Sequence, residues 1–261
     1  MNAVDPKTQR EVAIQREYYA KSAHEYDARH LNEDGGHSLA LQFMLSVIQY
    51  FGIRSILDVG SGTGRVLLKI KSEIPYVKLV GIEPSEELRR VGHSKGLLET
   101  ELIDGDAMNL AFSDGSFDLV CEFGALHHMP APSKAVSEML RVSRDLILIS
   151  DCNSFGQGSW ASRLLKQSID AVGLWPLADL IKTKGKGYSI SEGDGLSYSY
   201  SVFSDYRQIK EKCRSIHMMN NVDASPNLYR SAEHVSLLGI KGPQQPQLHR
   251  RVEAPIQAGK L

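Results

Sequence analysis

The chain has 261 residues, of which 42% are hydrophobic and 23% are charged, and its formal net charge at pH 7 is −1. This composition is that of an ordinary soluble globular domain with additions, and it excludes a global basic field for nucleic acid or a membrane, leaving only a local basic patch open. Three widely spaced cysteines without a C-x-x-C pair argue against a disulfide framework or a zinc site, and they favour reduced thiols in the cytoplasm.

The first part of the chain predicts two helices. Residues Lys7 to Arg29 are polar and helix-prone, with Tyr19 and Tyr26 among aromatic side chains at helical spacing. A second, amphipathic helix is expected from His37 to Tyr50, and Gly52 ends it. The charged amino-terminal stretch lacks the apolar core of a secretory signal, and no apolar run approaches the length of a membrane span. We therefore expect a cytoplasmic location and no membrane contact.

The most informative segment is an apolar run that breaks into alternating glycines. Ile53 to Val59 has the length and β-branched content of a buried strand, and Gly60, Gly62 and Gly64 follow it. Glycine is needed where a chain turns tightly and lets a ligand approach the backbone. Such a turn, between a parallel strand and a helix, is where α/β sheets hold nucleotide-like ligands. The dinucleotide fingerprint G-x-G-x-x-G fails, because Arg65 occupies the position of its third glycine.

Strands and helices then alternate to about residue 150. Leu79 to Glu83 reads as the second strand, Ser116 to Glu122 as the fourth and Arg144 to Ser150 as the fifth. Ser85 is expected to cap one intervening helix and Ser133 to begin another. This alternation is what a parallel sheet with right-handed crossovers demands.

Beyond residue 150 the alternation stops, and the pattern predicts an insertion over residues 151–203. Its expected elements are two helices and a ribbon, at Trp160–Val172, Leu177–Lys182 and Tyr198–Val202. A helix from Ser204 to Cys213 and a strand pair, Ile216–Met219 and His234–Ile240, are expected to close the sheet. From Gly242 onward, Pro, Gln and isolated charges replace periodicity, so residues 242–261 are expected to form a disordered tail.

Several ordered segments of this sequence resemble class I S-adenosylmethionine-dependent methyltransferases, over roughly residues 50 to 150. They are the glycine motif Asp58–Gly64, the strand Leu79–Glu83, the turn Gly105–Ala107, the strand Ser116–Glu122 with Ala125–Met129 after it, and the strand Arg144–Ser150. The resemblance implies a single α/β domain, residues 1–241, with a doubly wound, mostly parallel, seven-stranded Rossmann-like sheet. We expect N-terminal helices over 1–52, a cofactor-binding core over 53–150, the substrate-side insertion over 151–203, and a C-terminal helix with a strand hairpin over 204–241.

The same resemblance implies S-adenosyl-L-methionine as the cofactor. The residues expected to bind it are Tyr19, Tyr26, Asp58, Gly60, Ser61, Gly62, Gly64, Arg65, Glu83, Pro84, Gly105, Asp106, Ala107, Phe123 and Gly124. Asp58 and the loop amides complement the zwitterionic end of the cofactor, and Glu83 can accept both ribose hydroxyls. Asp106 is expected to accept the adenine amino group, although Asp-Gly-Asp is also a good turn sequence. Tyr19 and Tyr26 either close over the cofactor or pack within an amphipathic helix.

Methyl transfer from a sulfonium is an in-line displacement, so alignment and desolvation of the acceptor dominate. A hydroxyl acceptor also needs a base within hydrogen-bond reach. His127, Asp151 and His128, in that order, are the candidate catalytic residues, because they follow the fourth and fifth strands where the methyl group would lie. The alternative to a protein base is a magnesium ion bound by Glu122, Asp151 and Asn153. The predicted site contains no metal ion.

The predicted function is methyl transfer to a small-molecule acceptor, and a hydroxyl oxygen is the favoured methyl acceptor. The polar and aromatic residues after Asp151 suggest that the acceptor is a sugar or another polyhydroxylated metabolite. An N-methyltransferase and a catalytically inactive cofactor-binding scaffold remain the alternatives. Nucleic acid is disfavoured, because the fourth strand ends in Glu-Phe-Gly-Ala instead of the Asn/Asp-Pro-Pro-aromatic sequence of enzymes that receive a flipped base. The sequence makes no prediction of oligomeric state.

Overall fold

A seven-stranded sheet forms the centre of the computed structural model, which describes residues 6–23, 36–191, 193–222 and 227–242. The strands run in the spatial order β3-β2-β1-β4-β5-β9-β8. Their bounds are β1 Ser55–Val59, β2 Lys78–Ile82, β3 Leu102–Ile103, β4 Phe117–Phe123, β5 Ser143–Cys152, β8 Ser215–Asn220 and β9 His234–Ile240. The first five strands pair in parallel, and β9 pairs antiparallel with both β5 and β8.

Helices lie on both faces of the sheet, and each face has its own apolar core. The helices are α1 Pro6–Ser22, α2 Gly36–Phe51, α3 Arg65–Glu73, α4 Glu86–Ser94, α5 Pro132–Val142, α6 Trp160–Ala171, α7 Trp175–Lys182 and α8 Tyr206–Lys212. The α2 and α3 helices bury Met44, Ile48 and Leu67 against one face, while α5 buries Val136 and Met139 against the other. Strands covered on both faces read as continuous apolar runs, which is why β1, β4 and β5 could be predicted from the sequence. The predicted doubly wound, mostly parallel α/β fold is confirmed.

Two details differ from the expected elements. The first helix ends at Ser22, earlier than predicted; Tyr26 lies outside the described residues, and so does nearly all of the predicted tail. The ribbon predicted over Tyr198–Val202 is wrong, because the hairpin strands are β6 Ser189–Ser191 and β7 Gly195–Ser197. Tyr200, Ser201 and Val202 are all buried in an irregular segment, so burial does not alternate there as it would in a strand, and a short 3-10 helix, Val202–Asp205, begins at its end. Among the described helices, none combines the length and apolar content needed to cross a bilayer.

The β6–β7 hairpin is fastened to the N-terminal helix by two side chains. Gln15 Oε1 accepts a hydrogen bond from the Leu196 amide at 2.6 Å. The Tyr198 hydroxyl donates to Glu11 Oε2 at 2.7 Å. Together, α1 and the hairpin form a cover beside the carboxyl ends of β4 and β5, where the loops after these strands carry the candidate catalytic residues.

Candidate active site

The glycine loop after β1 adopts a conformation that side chains resist. Gly60, Gly62 and Gly64 have φ angles of 74°, 56° and 77°, a region that L-residues rarely enter. A Cβ on Gly60 would lie 2.4 Å from the Cβ of Ala125, which is closer than two carbon atoms can approach. The loop is held against the neighbouring strand, because the amides of Gly60 and Ser61 both donate to the carbonyl of Ile82 at 3.0 Å.

Two buried carboxyl groups flank this loop. Glu83 accepts from the Gly62 amide at 3.0 Å and from the Ser85 amide at 2.8 Å, so it joins the loop to the start of α4. Burial raises the pKa of Glu83 to about 7, against the opposing effect of these two amides. Burial also raises the pKa of Asp58 to about 6. One oxygen of Asp58 accepts from the Cys121 thiol at 3.7 Å, while Oδ2 is buried with no hydrogen-bond partner in the part of the chain that the structure describes.

A cavity of about 270 Å3 opens above the loop at the carboxyl ends of the strands. Many of the residues predicted to bind the cofactor or to act in catalysis line it: Tyr19, Asp58, Gly60, Ser61, Arg65, Phe123, Gly124, His127 and His128. The sequence did not single out the other lining residues, His37, Thr63, Val66, Asp194 and His234. The cavity therefore combines one acidic wall at the glycine loop with a wall of histidines after β4.

The turn predicted to bind adenine lies outside this cavity. Asp106 is exposed, and its Oδ1 accepts from the Met108 amide at 2.9 Å, which is the bond of an aspartate that closes a turn. The Cβ position of Gly105 is 2.9 Å from Ile82 Cβ, so this segment packs directly on the end of β2. Ala107 is buried, and its side chain belongs to the core. The turn is thus next to Glu83 and Pro84 along the sheet edge.

His127 and Asp151 form a close pair at the ends of β4 and β5. The imidazole Nδ1 of His127 lies 2.7 Å from Asp151 Oδ1, and Asp151 Oδ2 accepts from the Leu126 amide at 2.9 Å. Burial alone would raise the pKa of Asp151, but His127 outweighs that effect and holds it well below its ordinary value. Asp151 is therefore an anion at neutral pH, and its hydrogen bond to Nδ1 fixes the orientation of the His127 ring.

Asp194, at the tip of the β6–β7 hairpin, faces both histidines. Its two carboxylate oxygens lie 3.4 Å from His127 Nε2 and 3.3 Å from His128 Nε2. His128 Nδ1 lies 2.6 Å from the carbonyl oxygen of Leu196 on the same hairpin. Burial lowers the pKa of His127, but Asp151 and Asp194 outweigh burial and raise it to about 10. In this arrangement both ring nitrogens of His127 are protonated at neutral pH, and the side chain is positively charged.

A second histidine pair lies deeper in the cavity. The rings of His37 and His234 meet edge to face with centroids 5.4 Å apart. His37 Nδ1 lies 3.1 Å from Ser150 Oγ, at the end of β5. Burial and the neighbouring His234 lower the pKa of His37 to about 4, and burial lowers the pKa of His234 as well. These two rings are neutral at pH 7 and offer polar contacts without charge.

The three residues of the alternative magnesium site, Glu122, Asp151 and Asn153, all have side-chain oxygens engaged in hydrogen bonds. Glu122 accepts from the amides of Ala125 and Ser150 at 3.0 and 3.1 Å, so both of its oxygens hold backbone. The Asn153 amide nitrogen donates to three carbonyl oxygens in residues 228–232, and its Oδ1 accepts from the Ser201 hydroxyl at 2.9 Å. Glu122 and Asn153 therefore serve the loops around the site.

The chain matches a known protein family over its core. Residues 56–145 match the family model described as a methyltransferase domain. A demethylmenaquinone methyltransferase of Porphyromonas gingivalis is 33% identical over 109 residues, which cover 39% of this chain and 44% of that enzyme. A norajmaline N-methyltransferase of Rauvolfia serpentina is 32% identical over 94 residues, covering 34% of this chain and 32% of that enzyme. The chain thus spans less than half the length of these curated relatives.

Solved structures share the fold over a longer stretch. The 1,6-didemethyltoxoflavin-N1-methyltransferase of Burkholderia thailandensis, solved with S-adenosylhomocysteine, aligns with a TM-score of 0.57 at 15% identity and covers 92% of this chain and 93% of that one. A Thermotoga maritima protein, described as an S-adenosylmethionine-dependent methyltransferase and possible histamine N-methyltransferase, aligns with a TM-score of 0.54 at 18% identity, over 87% of this chain and 99% of that one. At these identities the likeness concerns the fold.

Proposed function

Because residues 56–145 form a domain of the class I S-adenosylmethionine-dependent methyltransferase family, we propose that this chain transfers a methyl group to a hydroxyl oxygen of a small molecule. The observation that carries the proposal is the shared cavity. Asp58 and the glycine loop line one side of it, and the paired His127 lines the other. A donor on the loop and an acceptor on the histidine side would therefore meet within one enclosed space.

The loop side fits the charged end of the cofactor. Asp58 Oδ2 is buried at the cavity without a hydrogen-bond partner among the described residues, and a buried carboxylate oxygen calls for a donor such as an ammonium group. Glu83 accepts one bond from each of two amides, and each of its oxygens keeps a lone pair for a ribose hydroxyl. When bound, the cofactor supplies a methyl group on a sulfonium. Asp58 would hold the amino-acid end of the cofactor, and Glu83 would hold its ribose.

The histidine side fits an acceptor that must lose a proton. Asp151 fixes the Nδ1–H of His127, so Nε2 is the atom that faces the cavity and the hairpin. We propose His127 as the base, Asp151 as the residue that positions it and His128 as its neighbour on the acceptor. Asp151 and then Asp194 raise the pKa of His127 to about 10, so displacing or neutralising Asp194 would lower this pKa and favour the form of His127 that can accept a proton.

The segments outside the core are proposed to choose the acceptor. The 151–203 insertion and the N-terminal helices cover the histidine side, and a second cavity of about 220 Å3 joins there, lined by Ser154, Gln157, Lys182, Ser197 and Ser199 among others. Hydroxyl, amide and ammonium groups of this kind suit a polyhydroxylated acceptor. We keep the proposed division into a core over 53–150 and a substrate-side insertion over 151–203.

The experiment is a labelled-methyl screen. The full chain is incubated with methyl-labelled S-adenosylmethionine and a metabolite extract, and mass spectrometry identifies what gains the label. We expect a labelled hydroxyl compound, and we expect His127→Ala to lower its formation at least about a hundredfold while S-adenosylhomocysteine binding persists. If the labelled product is an amine, and His127→Ala forms it as fast as the wild type, the enzyme is an N-methyltransferase and the proposed O-methylation is wrong. Absence of calorimetric binding of both S-adenosylmethionine and S-adenosylhomocysteine would overturn the proposal altogether.

A further inference from the structure

In both histidines after β4, the Nδ1 atom lies close to an oxygen that accepts hydrogen bonds. His127 Nδ1 lies 2.7 Å from the carboxylate of Asp151, and His128 Nδ1 lies 2.6 Å from the carbonyl oxygen of Leu196. The Asp151 carboxylate can only accept a hydrogen bond, so His127 Nδ1 carries the hydrogen. His128 Nδ1 also lies 3.2 Å from Gln15 Nε2, but the Leu196 carbonyl is much closer and can only accept, so this Nδ1 carries the hydrogen as well. In a neutral imidazole of this tautomer, Nε2 is a bare lone pair.

Both Nε2 atoms face the same carboxylate. His127 Nε2 is 3.4 Å from one oxygen of Asp194, and His128 Nε2 is 3.3 Å from the other. A bare imidazole nitrogen and a carboxylate oxygen are both acceptors, so a positive charge must lie between them. Either each ring takes a second proton, or one cation serves all three groups.

The arrangement has the features of a metal site and not only of an ion pair. The ligand atoms of His127, His128 and Asp194 all lie within 4.8 Å of one another. In a tetrahedral shell with bonds near 2.0 Å, ligand atoms stand roughly 3.3 Å apart. Each Nε2 lies at about this distance from one of the two Asp194 oxygens, so a small shift of the carboxylate would present a single oxygen to an ion between the rings. Histidines that bind metals nearly always donate their other N–H to a carboxylate or a backbone carbonyl, as both rings do here.

We propose that His127, His128 and Asp194 bind a divalent transition-metal ion through the two Nε2 atoms and the carboxylate. Two imidazoles and one carboxylate suit zinc, cobalt, iron or nickel and do not suit magnesium or calcium, which prefer all-oxygen shells. The site borders both cavities, since His127 and Asp194 line each of them, so an open coordination position would face the bound acceptor.

What the ion would do there rests on the proposed function. A hydroxyl bound to a divalent cation loses its proton more readily, here to solvent water in the cavity, so the ion would activate the acceptor. Binding the ion and accepting a proton both need the lone pair on His127 Nε2. His127 therefore acts either as a metal ligand or as a base in a given molecule.

The test measures metal binding directly, on the full chain produced without a histidine tag and stripped with a chelator. Co2+ is titrated in and followed by its visible absorption and by calorimetry. We expect one Co2+ per chain, displaced by Zn2+ and not by millimolar Mg2+. Asp194→Asn and His128→Gln should each weaken Co2+ binding at least about tenfold. His217→Gln alters an exposed histidine on β8 and should leave the affinity unchanged.

Asp194 lies at a hairpin tip with 44% of its side chain exposed, so Asp194→Asn should fold normally. Binding of S-adenosylhomocysteine, measured on the same samples, reports on the fold and on the proposed function separately from the metal. Equal Co2+ affinity in the wild type and Asp194→Asn, or no stoichiometric Co2+ binding by the wild type, would overturn the site and leave a simple ion pair. Metal binding without S-adenosylhomocysteine binding would keep the site and remove the proposed function.

Discussion

Glu83 shows how one residue links the conformation of a loop to the binding of a ligand. Its carboxylate accepts from Gly62 on the glycine loop and from Ser85 at the start of α4, and it is 5% exposed. Burial raises its pKa to about 7, while the nearby Arg89 opposes that rise and the buried Asp58 adds to it. Since the native pKa lies above the ordinary value near 4.5, the chain without ligand loses stability as pH rises between these two values.

Ligand binding should follow the opposite pH trend. Hydrogen bonds from ribose hydroxyls favour the ionised carboxylate, so S-adenosylhomocysteine should bind more weakly as pH falls through 7. We expect the Kd from calorimetry to rise about tenfold between pH 8 and pH 5.5, as the ionised fraction of Glu83 decreases. Asp58, with its pKa raised to about 6, adds to the loss at the lower end.

Two variants separate this effect from a general pH response. Glu83→Gln should weaken binding at pH 8 about tenfold and flatten the pH profile, since a charged acceptor is lost. Glu86→Gln, which changes an exposed carboxylate three residues away on α4, should keep both the affinity and the slope of the wild type. A Glu83→Gln profile as steep as that of the wild type would assign the pH dependence to another group.

The sequence could identify some site residues and not others, for a physical reason. Asp58 and Glu83 end buried parallel strands, whose carboxyl ends must meet at one edge, so their convergence with the glycine loop could be predicted. Asp194 is 67 residues beyond His127 in a serine- and glycine-rich segment, and only the β6–β7 hairpin brings them together. His37 and His234 meet because β9 pairs beside β5, which no local pattern encodes.

At the level of elements, Asn153 joins three segments at the end of β5. Its Nδ2 donates to the carbonyl oxygens of Leu228, Tyr229 and Ala232, all within 3.2 Å. Its Oδ1 accepts from the Phe155 amide and from Ser201, where the insertion returns to the sheet. The side chain is fully buried, so each of these bonds replaces water that cannot enter.

We predict that Asn153→Asp lowers the free energy of unfolding by about 3 kcal/mol or more, because it sets a carboxylate against three carbonyl oxygens. Urea denaturation followed by circular dichroism measures the loss. Asn109→Asp makes the same chemical change at an exposed position and should stay within about 0.5 kcal/mol of the wild type. An unchanged urea midpoint for Asn153→Asp would show that the three segments do not depend on this side chain.

The prediction of elements succeeded where the apolar pattern was long. Runs such as Ile56 to Val59 and Leu146 to Ile149 are fully buried and continuous, so strands were the natural reading. The β6 and β7 strands have three residues each and contain mostly serine and glycine, so their pairing depends on the Gln15 contact and carries no local signature. Long-range support, not propensity, fixes this hairpin.

At the scale of the whole molecule, α1 fastens the hairpin that carries Asp194. We predict that Tyr198→Phe, which removes the hydroxyl that donates to Glu11, speeds hydrogen exchange of the Leu196 amide about fivefold, because roughly 1 kcal/mol of local stability is lost. Exchange in β1 and β4, which lie at the centre of the sheet, should stay unchanged. Tyr76→Phe removes a hydroxyl from an exposed ring far along the chain and is the matched control. Equal Leu196 exchange in both variants would show that the bond between Tyr198 and Glu11 does not restrain the hairpin.

The position of β9 has a consequence for how the protein is made. β5 pairs with β4 on one side and with β9, residues 234–240, on the other, and β8 also pairs with β9. While the chain emerges from the ribosome, the long apolar edge of β5 therefore stays open until almost the whole sheet has been synthesised. Nascent or prematurely terminated chains that stop before β9 expose that edge to one another, and it is these fragments, not the finished fold, that chaperones and proteases must handle.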